Sequence, residues 1–326
     1  MVEKTVKHAR ISKPKVMSMS PTRSIIITGS NSGLGWDIAQ LLAQQPETHV
    51  VVACRNAEQG QKSAAELNVK GGHATWLQLD LASQPSIHAF VEAFRNSGLP
   101  PLYALVCNAG SQNVGVPTKT TEGYETTFAV NHLGHYLLSN LLLVDFIKGG
   151  RITIVASSVH DPAANTGMPH PTYTTAQAIA HNFKPGRTEG LRRYSTSKLC
   201  NVMYGYELGR RLAQSGNERL ASIRVNSIDP GFMPATSLAR SFPPPLRWVS
   251  RHILPLLRFV IDNVHRPEVS AQRVVEITTG AMAEPGNRYF SNGEAVRSSV
   301  DSYDADKWRE LWESSAQMTG FQDPSL

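Results

Sequence analysis

With 326 residues, 41% of them hydrophobic and 18% charged, the chain can bury a sizeable core, and its composition excludes a natively disordered protein. Its formal charge of +6 is concentrated at one end: residues 1–24 carry Lys4, Lys7, Arg10, Lys13, Lys15 and Arg23 against Glu3, which is +5 and leaves +1 for all the rest. A nearly neutral body argues against a nucleic-acid partner, and three cysteines without C-x-x-C spacing point to a reducing compartment and no metal centre.

Residues 1–23 read as a basic leader, solvated in preference to transit-like or surface-anchoring. No run reaches the ~18 apolar residues of a membrane span. A cytoplasmic protein is expected, with organellar targeting by the leader left open. From residue 24 onward short β-branched runs alternate with helical patterns. Strands are predicted at Ile25–Ile27, Val50–Ala53, Ala74–Leu79, Tyr103–Cys107, Arg151–Ala156, Ser222–Ile228 and near Arg288–Phe290. Helices are predicted at Leu34–Gln45, Ala57–Leu67, Pro85–Asn96, Glu122–Ile147 and Tyr194–Gln214. Apolar strands alternating with helices predict an α/β fold, a Rossmann-like doubly wound parallel sheet, as one domain over 24–326. Two long irregular stretches, Ser158–Arg193 and Pro230 to about Asn263, follow strands and should overhang the edge of the sheet where ligands bind.

The first strand runs into Thr28-Gly29-Ser30-Asn31-Ser32-Gly33-Leu34-Gly35 and then a helix. Glycines there permit a tight turn and let backbone approach a pyrophosphate at the helix N-terminus. The second strand ends at Arg55, where an NAD site usually places an acid; a guanidinium suits the 2′-phosphate of NADP(H) instead. Asp80-Leu81 after the third strand could accept from the adenine amino group, or cap a helix. Asn108-Ala109-Gly110 after the fourth is small enough to pass under a cofactor ribose, with the Asn amide tying neighbouring strands.

Tyr194 and Lys198 lie four apart, on one face of a helix. A fixed ammonium and an oxidised nicotinamide would bring a phenol of pKa ~10 towards working range. Ser157, after the fifth strand, could hold a substrate oxygen. Asn131 is a poor mid-helix residue, which a kink or a water site would explain. His132 and His135 form a loose pair with no third ligand and read as structural.

These residues, in this order, resemble the short-chain dehydrogenase/reductase family: Thr28–Gly35, Asn108–Gly110, Asn131, Ser157, Tyr194-x-x-x-Lys198 and Pro230-Gly231. The resemblance implies that Tyr194 transfers a proton, Ser157 holds the substrate oxygen, Lys198 binds the nicotinamide ribose, Asn131 positions a relay water and Pro230-Gly231 flanks the nicotinamide. Leu105–Gly110, Val130–His135, Tyr194–Asn201 and Leu311–Glu313 are similar to the branch of retinol-dehydrogenase-like enzymes and light-dependent protochlorophyllide reductases. The pigment reductases place cysteine after the Pro-Gly pair, where this chain has Phe232. The expectation is therefore hydride transfer between NADP(H) and a small apolar carbonyl or alcohol. Reduction of a tetrapyrrole C=C bond comes second and a non-catalytic NADP-binding scaffold or redox sensor third. Leu246–Ile261 reads as an amphipathic lid or a packed helix, with weak membrane-surface contact and homo-oligomerisation left open.

Overall fold

The computed structural model describes residues 20–231 and 267–321. The leader up to residue 19, Phe232 and Leu246–Ile261 lie outside the described residues. The eight strands are β1 Arg23–Thr28, β2 Thr48–Cys54, β3 His73–Gln78, β4 Leu102–Cys107, β5 Phe146–Val155, β6 Arg224–Asp229, β7 Arg288–Ser291 and β8 Glu294–Val296. They form one sheet in the order β3-β2-β1-β4-β5-β6-β7-β8. Every pairing from β3 to β7 is parallel, and β8 returns antiparallel through Asn292-Gly293. Both turn residues have positive φ, which matches the right-handed twist of a two-residue hairpin.

Successive strand residues point to opposite faces. Ile26, Val51 and Leu105 therefore enter one core while Ile25, Ile27, Val50, Val52 and Val106 enter the other. Since both faces need cover, the strands are continuously apolar rather than alternating. The first core is closed by α3 (Gln84–Arg95), α5 (Gly134–Leu142) and α7 (Arg187–Gln214). The second is closed by α1 (Gly33–Ala43), α2 (Ala57–Val69) and α9 (Pro267–Thr279), and the short α8 (Glu218–Ala221) leads into β6. A last helix, α10 (Ala305–Thr319), lies on α7 and α5 through Trp312, whose ring centroid is 5.1 Å from Tyr136 and 5.9 Å from Tyr204.

Three expectations from sequence need correction. The helix expected over Glu122–Ile147 is broken into a short α4 (Thr126–Phe128), a π turn at Ala129–Leu133 and α5, and β5 already begins at Phe146. The π turn bulges at Asn131, whose side chain bonds outside the helix; such bulges concentrate at functional sites. Secondly, α7 does not open at Tyr194 but at Arg187. Gly190 is a weak helix former, yet its bare Cα lets the first turns lie on the chain at 113–114; a Cβ there would sit 2.5 Å from Asn113 O. The stretch Ser158–Arg193 is also not wholly irregular, because it contains α6 (Ala176–Ala180) and two single 3-10 turns. Among the described residues, no helix is long and apolar enough to cross a membrane.

Gly134 opens α5 where the helix passes over the end of β3: an added Cβ would meet Leu81 O at 2.4 Å. Gly134→Ala gains roughly 1 kcal/mol of helix propensity, but overpacking against backbone costs up to about 3 kcal/mol. Net destabilisation is expected, seen as a thermal midpoint a few degrees lower. An unchanged or raised midpoint would show that the helix does not approach so closely.

Candidate active site

In a parallel sheet all carboxyl ends share one edge, so the residues that follow β1, β2, β3, β4, β5 and β6 gather there. Between β1 and β4 the chain switches direction across the sheet, which opens a crevice. Gly29-Ser30-Asn31-Ser32-Gly33 turns into it, with φ of +68° at Gly29 and +57° at Gly33. Ser30 Oγ donates to Ile27 O at 2.7 Å and closes the turn. Gly35 is obligatory for packing, since a Cβ would lie 2.5 Å from both Gly29 O and Asn108 Nδ2. At the mouth of α1, Ser32 makes no side-chain cap and the first turn carries no acid, so its amides and partial positive charge face the crevice.

The opposite wall is Asn108-Ala109-Gly110. Asn108 Nδ2 donates to Thr28 O (2.8 Å), and the N–H groups of Asn108 and Ala109 both donate to Thr28 Oγ1 (2.9 Å each). Arg55, at the end of β2, has a side chain 76% exposed and 3.9 Å from Asp80. So loose a surface pair contributes little and leaves the guanidinium available. Asp80 does not cap α3, a task that falls to Ser83; its Oδ1 accepts from Ala82 N at 3.0 Å. Leu81 is buried, its side chain in the core beneath.

Tyr194 and Lys198 are on the third and fourth turns of α7, 8% and 3% exposed. The Lys198 ammonium donates to Val155 O (2.9 Å) and lies 5.6 Å from the centre of the Tyr194 ring. It also borders Gly110 of the crevice wall. Burial lowers Lys198 to about 8, against the pull of Asp229 in the other direction, so it remains largely charged at neutral pH. Burial, then the Asp229 carboxylate, pushes Tyr194 above its ordinary value. Among the described residues its hydroxyl has no hydrogen-bond partner, and in this state it is a protonated phenol.

Ser157 follows β5 and starts the 3-10 turn Ser158–His160, which packs on α7. His160 fixes that turn: its Nδ1 donates to Ser157 O (2.7 Å) and its Nε2 accepts from Ser299 N (3.1 Å). Beyond it, Val159, Asp161, Pro162, Met168 and His170 line a cavity of about 310 Å³. The segment that follows is tied to α7 by Thr172 N donating to Thr196 Oγ1 (3.0 Å) and Arg192 Nη1 donating to His170 O (3.1 Å). Asn131 is wholly buried, and each of its side-chain polar atoms has a protein partner. Oδ1 accepts from Ser111 N (2.6 Å), while Nδ2 donates to Ser111 O (3.0 Å) and Ser197 Oγ (2.9 Å). Pro230-Gly231 ends β6, with Gly231 N donating to Asp229 Oδ1 (3.0 Å).

Four features here go beyond the sequence reading. Asp229 is a buried acid electrostatically coupled to both Tyr194 and Lys198. His160 holds the Ser157 turn. His135 bonds Thr28 and Asn131, as developed below. Arg193 and Glu125, 1% and 0% exposed, pair at 3.4 Å immediately before Tyr194. Only the Asp–Pro–Gly run and the Arg–Tyr adjacency could have drawn attention to two of them; pairing across the fold has no local signal.

The sequence profile of the short chain dehydrogenases matches residues 23–186. A protochlorophyllide reductase from Avena sativa is 32% identical over 91% of this chain and 99% of its own length. Protochlorophyllide reductase A, chloroplastic, from Oryza sativa subsp. japonica is 31% identical over 91% of this chain and 80% of its own. Among solved structures, a protein from Mycobacterium Paratuberculosis superposes with a TM-score of 0.68 at 25% identity, over 93% of this chain and 96% of that one. An angucycline C-6 ketoreductase with bound NADP shares the fold, with a TM-score of 0.61 at 21% identity over 84% and 95% of the two chains. The chain belongs to the short-chain dehydrogenase family and is an oxidoreductase.

Proposed function

We propose that this oxidoreductase uses NADP(H) to reduce an apolar carbonyl compound, or to oxidise the corresponding alcohol, with Tyr194 as proton donor or acceptor. The observation that carries the reading is the placement of Tyr194 and Lys198, buried side by side on α7 and bordering Gly110 of the β1–β4 crevice. The crevice suits a dinucleotide. Gly33 has open space where a Cβ would be, the α1 amides are uncapped, and nothing acidic stands at the Arg55 position to repel a 2′-phosphate.

NADPH, when bound, supplies the hydride. The chain's own residues do the rest. Ser157 offers a hydroxyl to the substrate oxygen, and Tyr194 gives that oxygen a proton as negative charge develops on it. Burial and Asp229 make Tyr194 a weaker acid than a free phenol, so Lys198 and the bound nicotinamide would have to offset that rise for it to donate. The Lys198 ammonium, anchored on Val155 O, stabilises the phenolate left behind and binds the nicotinamide ribose. Arg55 would hold the 2′-phosphate, and Asp80 lies beside it for the adenine. The cavity lined by Val159 to His170 opens on the chain that follows Ser157 and is a candidate place for part of the substrate.

Reduction of a tetrapyrrole C=C bond is the second reading. It is favoured by relatives at 30–32% identity over 91% of the chain that bear the name protochlorophyllide reductase. It gives Ser157 no oxyanion to hold, which ranks it second. Mixing the protein with NADPH and following 340 nm absorbance in darkness against apolar aldehydes and ketones separates the two. Dark turnover with a carbonyl supports the first reading. Consumption only with protochlorophyllide, and only in light, overturns it in favour of the second.

Tyr194→Phe should reduce turnover by at least about 100-fold, the usual scale of a lost general acid, while NADPH affinity stays within a few-fold. An active Phe variant would remove Tyr194 from the proton step. Arg55→Asp should shift the preference from NADPH towards NADH by roughly 10- to 100-fold, the worth of one charge-assisted phosphate contact. Unchanged selectivity would place the phosphate contact elsewhere.

A further inference from the structure

Thr28, His135, Asn131 and Ser197 are each no more than 3% exposed and form an unbroken hydrogen-bonded path. His135 Nδ1 lies 3.1 Å from Asn131 O, and a carbonyl can only accept, so Nδ1 carries the proton. Burial lowers His135 to about 4, so the ring is neutral and Nε2 is an acceptor. Thr28 Oγ1, 2.9 Å from Nε2, must then donate to it. That choice turns the lone pairs of the Thr28 hydroxyl towards the N–H groups of Asn108 and Ala109. The alternative donation, to Val106 O at 3.3 Å, is the longer one.

The path has a fixed polarity. It begins at the crevice wall, where Ala109 packs against Gly29, and passes through Thr28 and the His135 ring to the Asn131 carbonyl. From Asn131 the amide nitrogen donates to Ser197 Oγ (2.9 Å), and Ser197 Oγ donates to Tyr194 O (2.7 Å). One end therefore sets the cofactor crevice and the other sets the turn of α7 that bears Tyr194 and Lys198. His135 is the one member that joins β1 to the π turn.

We propose that His135 is a positioning residue that holds the cofactor crevice and the Tyr194–Lys198 turn in register, through its two ring nitrogens acting on different ends. This rests on the function proposed above for Tyr194 and the β1–β4 crevice. A satisfied core histidine with no further role would make the same bonds, but it would not let the two nitrogens be separated by their effects.

The test replaces one nitrogen at a time. The carbonyl oxygen of Gln reaches the Nε2 position and still accepts from Thr28, but the ring donor to Asn131 O is lost and the Asn201 amide is left as the side-chain donor to that carbonyl. The amide of Asn reaches only the Nδ1 position and reverses the case. NADPH affinity is measured by nucleotide fluorescence and kcat with the best carbonyl found, alongside the melting temperature. His135→Gln should keep NADPH affinity within about two-fold and lose about ten-fold in kcat, the scale of one buried hydrogen bond. His135→Asn should lose about ten-fold in affinity and keep most of its kcat. His135→Phe should lose both; if it does not fold, the other two variants decide.

Equal losses in Gln and Asn that follow the melting temperature would overturn the proposal, as would wild-type behaviour of either variant in both measurements. A wild-type protein that turns over no carbonyl defeats the proposed function instead. The affinity difference between Gln and Asn still decides the role of His135 in that case.

Discussion

The carboxyl ends of β1 and β4 are joined by the hydroxyl of Thr28, which accepts from two successive backbone amides of the Asn108–Ala109 turn and donates to a buried imidazole. Parallel strands at a switch point diverge once their ladder ends, because the chain leaves them in opposite directions. The Asn108 amide also reaches Val106 O (3.0 Å), whereas the Ala109 amide finds its acceptor in Thr28 Oγ1. A threonine at that point joins the two ends. Its branched side chain suits the strand, and its oxygen stands where the ladder stops. Everything that defines the crevice, from the Gly29 turn to the placement of Gly110 beside Lys198, follows from that closure.

A second constraint acts from the substrate side. Arg193 lies inside the protein and pairs with Glu125, donates to Lys184 O (2.6 Å) and reaches Asn113 O (3.5 Å). Glu125 Oε2 accepts from Phe128 N (2.9 Å) at the start of α4. Removing two charges from water is expensive, and their attraction repays it only with further hydrogen bonds. Such a pair is a poor source of stability but a sharp specifier of geometry. Three segments distant in sequence, around residues 113, 125 and 184, are tied to the residue immediately before Tyr194. The Ser158–Arg193 stretch is also moored at Tyr173, whose hydroxyl donates to Glu310 on α10. Its position is set by the body of the protein as much as by its own chain.

Much of this was legible in the sequence, for identifiable reasons. Ile25–Ile27 and Val50–Val52 announce strands buried on both faces, and glycine spacing after the first of them announces the turn. Tyr194 and Lys198 share a helical face at any register of that helix. What stayed hidden depends on contacts between distant segments. Asn131 is a poor helix residue, which signals an irregularity, but its bonds to Ser111 and Ser197 decide that the irregularity is a π turn. The start of α7 at Arg187 depends on packing, because Gly190 is a weak helix former that its close approach to Asn113 makes an asset. Helix α10 carries local signals in its Asp304 cap and its apolar stripe, as well as Leu311-Trp-Glu313. Asn292-Gly293 carries a local hairpin signal as well.

The covering of α7 by α10 has a consequence for how the chain is made. Tyr136, Tyr204 and Trp312 form one aromatic cluster, with Arg211 stacked 4.4 Å from the Trp312 ring. Trp312 follows Tyr204 by 108 residues and leaves the ribosome well after α7 is made. Until then α5 and α7 are complete, but the rings of Tyr136 and Tyr204 lack their cover. At ~5–20 residues per second that interval lasts several seconds. During synthesis the helix bearing Tyr194 and Lys198 thus presents an unfinished apolar surface. Helix α10 therefore completes the sequestration of that surface as well as its own packing.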